Sequence, residues 1–255
     1  LTEREHWEVD APPGGWAHPW PLAVEVVHAL PEFSWTLVGG LMVQVHAARI
    51  GVRHRPTEDI DIVLHVETDA ISFDGARERL ESIGFGLRRP NKPTGFIHCF
   101  ERGSDIVDVM VADHLQHPPK ALGHEVFRVP GSTGALQRTV NVTIHIDSQT
   151  VRFSLPSVIA ALGLKGAAYM ADNRDAERHL RDAAVLACCI DDPEAVADQV
   201  QGSDRGRIQK LRHELKSQQH QAWSLIEDTE QREYGYHALQ DLVELLLGSG
   251  QAPRS

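Results

Sequence analysis

The stretch RPTEDIDIV, residues 55–63, sets two carboxylates, Asp59 and Asp61, one residue apart inside a run of isoleucine and valine. Successive side chains on a strand point to opposite faces, so Asp59 and Asp61 project together while Ile60, Ile62 and Leu64 face the other way. Two like charges held that close repel unless something cationic lies between them. Magnesium answers that need, because it takes oxygen ligands and completes its shell with water and substrate phosphates. An edge strand with one wet face accounts for the same two aspartates, so the flanks must decide.

Upstream, LAVEVVHAL (22–30) reads as a short amphipathic helix. SWTLVGG then reads as a buried strand ending in Gly39 and Gly40, and LMVQVHAARIG as a helix closed by Gly51. The order is strand, diglycine, helix, carboxylate strand. A diglycine at such a junction lets the backbone approach a ligand closely, and a helix N-terminus favours an anion such as a triphosphate. A tight turn explains two glycines equally well.

Downstream, DGARERLESI (74–83) predicts a helix with Asp74 as its cap. GFIHCFER and DIVDVMVAD predict a hairpin that places Asp108 between Val107 and Val109, with Asp105 and Asp113 as competitors for the same role. Residues 114–135, rich in Pro, Gly and His, predict an irregular excursion. RTVNVTIHI and QTVRFSL predict a second hairpin. From Leu155 onward the pattern is helical, through SLPSVIAALGLKGAAYM, DNRDAERHLRDAAVLACCI, DPEAVADQV and RIQKLRHEL to a last helix HALQDLVELLL. The chain therefore reads as α+β, with an N-terminal arm (1–21), a mixed α/β domain (22–155) and a helical domain (156–250).

Three carboxylates from neighbouring strands, Asp59, Asp61 and Asp108, can hold two magnesium ions, the arrangement used for phosphoryl or nucleotidyl transfer. Lys165 starts from the apolar face of its helix, so its ammonium needs a phosphate, an acidic partner or an outward path along the surface. Asp182, after Arg178 and Arg181 on a helix whose other face is Leu180, Ala183, Ala184 and Ala187, either orients Lys165 or the nucleophile or is an ordinary surface charge.

Composition bounds these readings. The 255 residues are 42% hydrophobic and 24% charged, with mean hydropathy of −0.28. No apolar run approaches the roughly 20 residues of a membrane span. Three cysteines without metal spacing point to a reducing cytoplasm. The net charge of −11 argues against indiscriminate nucleic-acid coating. It still permits a local patch from Arg49, Arg53, Arg55, Arg88, Arg89 and Lys92, or equally a scatter of solvated cations. HLQH (114–117) has no further ligand nearby to make a zinc site.

In this order, LVGG, RPTEDIDIV, IVDVMV and SLPSVIAALGLKGAAYM with RHLRDAAVL resemble the AbiEii/MenT-type nucleotidyltransferase toxins. These are a branch of the DNA polymerase beta-like superfamily, and the likeness spans about residues 35–190. The resemblance implies a minimal nucleotidyltransferase fold with a helical C-terminal domain. It also implies magnesium-dependent transfer of a nucleotide from an NTP. Gly39, Gly40, Thr57 and Lys165 would border or contact the NTP, Asp59 and Asp61 would bind metal, and Asp182 would complete the catalytic set. Val185 stands where an acidic residue often follows in the family. The implied acceptor is the 3′ end of tRNA, and the implied partner is a cognate antitoxin. A small-molecule hydroxyl, as in aminoglycoside nucleotidyltransferases, a protein hydroxyl, or a catalytically silent nucleotide-binding module are the competing readings.

Overall fold

The computed structural model describes residues 4–248, so the ends of the expected arm (1–3) and helical domain (249–250) lie outside the described residues. The chain divides into two compact units. One takes Leu1–Met42 and Arg55–Pro156, the other Val43–His54 and Ser157–Ser255.

The first unit is a mixed sheet with helices. Its strands are β1 (His6–Val9), β2 (Trp35–Leu37), β3 (Asp59–Leu64), β4 (Gly86–Leu87), β5 (Cys99–Arg102), β6 (Asp105–Ala112), β9 (Arg128–Val129), β10 (Thr139–Ile146) and β11 (Gln149–Pro156). They run in the order β1-β10-β11-β2-β3-β6-β5-β4, with β9 also pairing β6. A small separate hairpin is formed by β7 (Lys120–Ala121) and β8 (His124–Glu125). β3 and β6 are parallel neighbours near the centre, while β5–β6 and β10–β11 are the two expected hairpins.

The alternation in β3 follows from its sequence. Ile60 and Ile62 are buried, Asp59 and Asp61 half-buried, and Val63 and Leu64 buried on both faces. Helix α1 (Trp20–Ala29) lays Trp20 against Phe153 of β11, with ring centroids 6.2 Å apart. Trp16 of the N-terminal segment packs on Trp20 at 4.7 Å, and β1 from the same segment runs parallel to β10. The tryptophans thus cover one sheet face, each large ring removing apolar area from water.

Two local expectations need correction. Helix α3 (Phe73–Ser82) is capped by Ser72, whose hydroxyl accepts the Gly75 N–H at 3.0 Å. Asp74 lies inside the first turn, where its charge suits the helix dipole. Residues 114–135 are folded, carrying β7, β8, β9 and helix α4 (Ser132–Leu136). The anchor is Asp113, whose carboxylate accepts N–H bonds from Gly131 and Thr133 and the Thr133 hydroxyl at 2.6–3.0 Å.

Helix α2 (Gly39–Arg49) begins in the first unit and ends in the second. The second unit adds α5 (Val158–Ala171), α6 (Glu177–Cys188), α7 (Pro193–Ala197), α8 (Asp204–Glu214), α9 (Gln221–Ser224) and α10 (Thr229–Gly248). α5 packs on α6 and α8, and α6 on α10. α10 starts eight residues earlier than its apolar stripe suggests, because its first two turns are polar and largely exposed. Among the described residues no helix is long and apolar enough to cross a membrane.

Candidate active site

The parallel register of β3 and β6 sets Asp61 directly beside Asp108 and Asp59 beside Ile106. Side chains in register on adjacent strands share a face, and Asp59 lies two residues from Asp61 on that face. One carboxylate oxygen from each of Asp59, Asp61 and Asp108 lies within 4.8 Å of the others, and all three residues are half-buried. This is the only such His, Cys, Asp or Glu cluster among the described residues, so HLQH supplies none.

The two other acidic candidates are engaged elsewhere. Asp105 pairs with Arg102 at 3.1 Å, and Asp113 anchors the α4 turn. Burial tends to raise the Asp113 carboxyl, but the N–H bonds from Gly131 and Thr133 outweigh it and hold the carboxyl below its usual range. Asp108 lacks such backbone donors, and among the described residues only the Cys99 thiol bonds to it. Burial pushes its carboxyl above the ordinary range, His98 draws it back, and the Asp59 charge raises it further. Its Oδ1 is buried without a hydrogen-bond partner among the described residues, and its Oδ2 lies 3.9 Å from His98 Nε2. An orphaned buried oxygen within a cluster of like charges is what a cation would satisfy, and three carboxylates are an oxygen donor set suited to magnesium.

The diglycine abuts this cluster. A Cβ added to Gly39 would lie 1.8 Å from Asp61 Oδ2, and one added to Gly40 would lie 2.8 Å from Thr57 Oγ1. Gly39 also has φ of +68°, where a side chain is strained. The first turn of α2 therefore comes up against the carboxylate strand as no other residue pair would allow. Thr57, itself buried, donates its hydroxyl to Asp59 Oδ1 at 2.5 Å and so fixes that carboxylate.

The second unit holds a different constellation. Lys165 on α5 is buried, and its Nζ lies 2.7 Å from Asp182 Oδ2 on α6. Asp182 is 0% exposed, so it is not a surface charge. Its other oxygen meets His54 Nε2 at 2.9 Å, and the His54 side chain is only 2% exposed. Lys165 thus ends on an acidic partner rather than threading outward. Three residues before Asp182, His179 is held down at about 4, first by burial and then by the Lys165 and Arg178 charges.

The cations that could form a local patch divide between the two units. Arg49 and Arg53 belong to the second unit, where they face Asp191 at 3.5 Å and Glu227 at 3.9 Å. Arg88 lies 3.5 Å from Glu101 and still exerts its charge on Asp108, while Arg89 and Lys92 are exposed. Cys99, Cys188 and Cys189 are all free and buried, and burial pushes the first two thiols up to about 12.

Sequence reasoning passed over His54 and His98. His54 acquires its acidic neighbour only through long-range folding, whereas His98 meets Asp108 across the local hairpin. The signal for His54 was its place five residues ahead of the acidic strand, in RHRPTED. Comparisons with protein-family models, curated proteins and solved structures found no match.

Proposed function

We propose that this chain is a nucleotidyltransferase of the AbiEii/MenT type, moving a nucleoside monophosphate from an NTP to an acceptor hydroxyl. The observation that carries the reading is the register-matched cluster of Asp59, Asp61 and Asp108, three carboxylates that leave a buried oxygen of Asp108 without a partner. In the transfer an acceptor hydroxyl attacks the α-phosphorus of the NTP, loses its proton, and pyrophosphate leaves. Magnesium held by Asp59, Asp61 and Asp108 would supply charge neutralisation for the triphosphate and activation of the attacking oxygen.

The chain's own residues support the rest of this reading. Thr57 fixes the rotamer of Asp59, and the absence of side chains at Gly39 and Gly40 keeps the first turn of α2 close against Asp61 and Thr57. Unpaired N–H groups at a helix N-terminus favour an anion such as a phosphate. In the helical unit, Asp182 holds the Lys165 ammonium in one place and His54 holds Asp182, so Lys165 offers a fixed positive charge rather than a mobile one. The family resemblance makes tRNA the acceptor and an antitoxin the partner.

The test is incubation of the purified protein with magnesium, each α-labelled NTP in turn and total tRNA, beside the Asp59→Ala variant. Label in tRNA with the intact chain alone is the expected result. No label in tRNA, with label appearing on a protein or on an aminoglycoside, would keep the chemistry and change the acceptor. NTP binding without any turnover would leave a silent nucleotide-binding module.

A further inference from the structure

Beside the acidic cluster the first unit carries an aromatic group, Phe96, Phe127 and His98. Ile97 is fully buried and bridges to Val126; its N–H donates to Glu125 O at 2.9 Å, and the Phe127 N–H donates to Ile97 O at 3.1 Å. These bonds clamp two extended segments side by side. With Ile97 turned inward, its neighbours Phe96 and His98 project to the other side. Phe96 meets Phe127 edge-to-face with centroids 5.7 Å apart, and His98 lies 5.4 Å from the same Phe127 ring. His98 then reaches Asp108, Nε2 to Oδ2 3.9 Å. Its Nδ1 is buried and makes no hydrogen bond among the described residues.

Phe96 is 45% exposed although it belongs to this cluster. A single exposed phenylalanine is unremarkable by itself. This one forms the outer end of a continuous row, Phe96, Phe127, His98, Asp108, held by backbone pairing. The loop just before it, RRPNKPT (88–94), is polar and carries the exposed Arg88, Arg89 and Lys92. A protein partner would call for apolar surface continuing beyond Phe96, and that loop offers none. A flat ring that leads through His98 to the carboxylates, with a cationic loop just before it in the chain, matches the three parts of a nucleotide: a base to stack, phosphates to pair and a metal to share.

We infer that Phe96, backed by Phe127 and His98, is a stacking face for a nucleobase next to the Asp59, Asp61 and Asp108 cluster. The inference rests on the nucleotidyl-transfer reading above and adds the substrate contact that reading lacks. The base belongs either to the NTP or to the last nucleotide of an RNA acceptor; the chemistry of stacking is the same for both.

Calorimetric titration of the full chain separates the outcomes. Magnesium NTPs, magnesium tripolyphosphate and a short single-stranded RNA of mixed sequence are each titrated into wild type, Phe96→Ala and Phe96→Trp. Tripolyphosphate lacks the nucleoside, so the change in the ratio of NTP to tripolyphosphate affinity between variants reads the contact that Phe96 makes with it. Loss of that ratio by about fivefold or more in Phe96→Ala, with retention in Phe96→Trp, assigns the face to the NTP base. An unchanged ratio with RNA binding weakened by a similar factor assigns it to the acceptor base. If Phe96→Ala matches wild type for every one of these ligands that wild type binds, NTP included, the inference is overturned and the transfer reading stands. If wild type binds neither NTP nor tripolyphosphate, the transfer reading itself fails and the inference with it.

Discussion

The two units treat their charges in opposite ways. In the sheet unit, Asp59, Asp61 and Asp108 gather like charges at a half-buried face and leave Asp108 Oδ1 unpaired. In the helical unit, Lys165, Asp182 and His54 are more deeply buried, yet both Asp182 oxygens are matched within 2.9 Å. A buried charge persists when partners replace its lost hydration; a cluster of unmatched charge persists when something outside the chain makes good the deficit. The Asp182 carboxylate is therefore matched as folded. The sheet cluster leaves Asp108 Oδ1 open to a cation, and this contrast ranks what each substitution should do.

The largest effect should come from Asp61→Ala. If the sheet cluster is the metal-holding edge, removing Asp61 costs several kcal/mol of transition-state stabilisation, about a thousandfold or more in transfer rate. Folding should be retained, because a repelling charge has been taken away. Initial rates of label transfer beside urea unfolding of the same sample check both halves. Retained activity would remove the metal assignment, and a lost fold would make the cluster structural.

Asp182→Ala should reverse that pattern. It strands the Lys165 ammonium in a buried setting, which costs about 3–5 kcal/mol of stability. Lys165→Met should cost a comparable amount by stranding Asp182, so its effect on NTP use must be read at matched folded fraction. Replacing both, Lys165→Met with Asp182→Leu, should recover most of the loss, because similar-sized apolar residues need no compensation. Asp182→Leu alone, Lys165→Met alone and the two together make a cycle whose coupling energy reports the pair directly. Simple additivity of the two losses would mean that the 2.7 Å contact carries no coupling.

This contrast also marks what the sequence could reveal. A two-residue period is local, so Asp59 and Asp61 sharing a face was legible from RPTEDIDIV itself. The hairpin that carries Asp108 was legible too, since alternation and a short turn are local. That β6 lies parallel to β3 with Asp108 level with Asp61 is a register between segments 47 residues apart, and no local pattern encodes it. The pattern around Asp182 leaves it open whether that carboxylate orients another group or is a surface charge. Periodicity reports which face is apolar, and it does not report a charge drawn inward by a lysine on another helix. The His54 contact spans 128 positions and lies further still from any local signal. The fold of residues 114–135 was hidden for a related reason. Its organiser is the carboxylate of Asp113, outside the segment, reaching the backbone of Gly131 and Thr133.

The smallest effect, and the one that sharpens the contrast most, should come from Asp108→Asn. Burial raises the folded-state affinity of Asp108 for its proton, so the folded chain binds more protons than the unfolded chain across the interval between the two pKa values. Stability must then fall as pH climbs from the ordinary carboxylate value, about 3.9, through the raised folded one, and stay lower above it. Asparagine keeps the shape and cannot ionise. Asp108→Asn should therefore be more stable than wild type at pH 7, by about 0.5–2 kcal/mol, with the gap closing as pH drops below the carboxylate range. Urea midpoints across pH for the two proteins measure this. Adding magnesium should then stabilise wild type by mass action and Asp108→Asn much less, shrinking or inverting the gap at pH 7. A gap that ignored both pH and magnesium would mean that the Asp108 charge is already compensated within the chain, and the two units would no longer differ in kind.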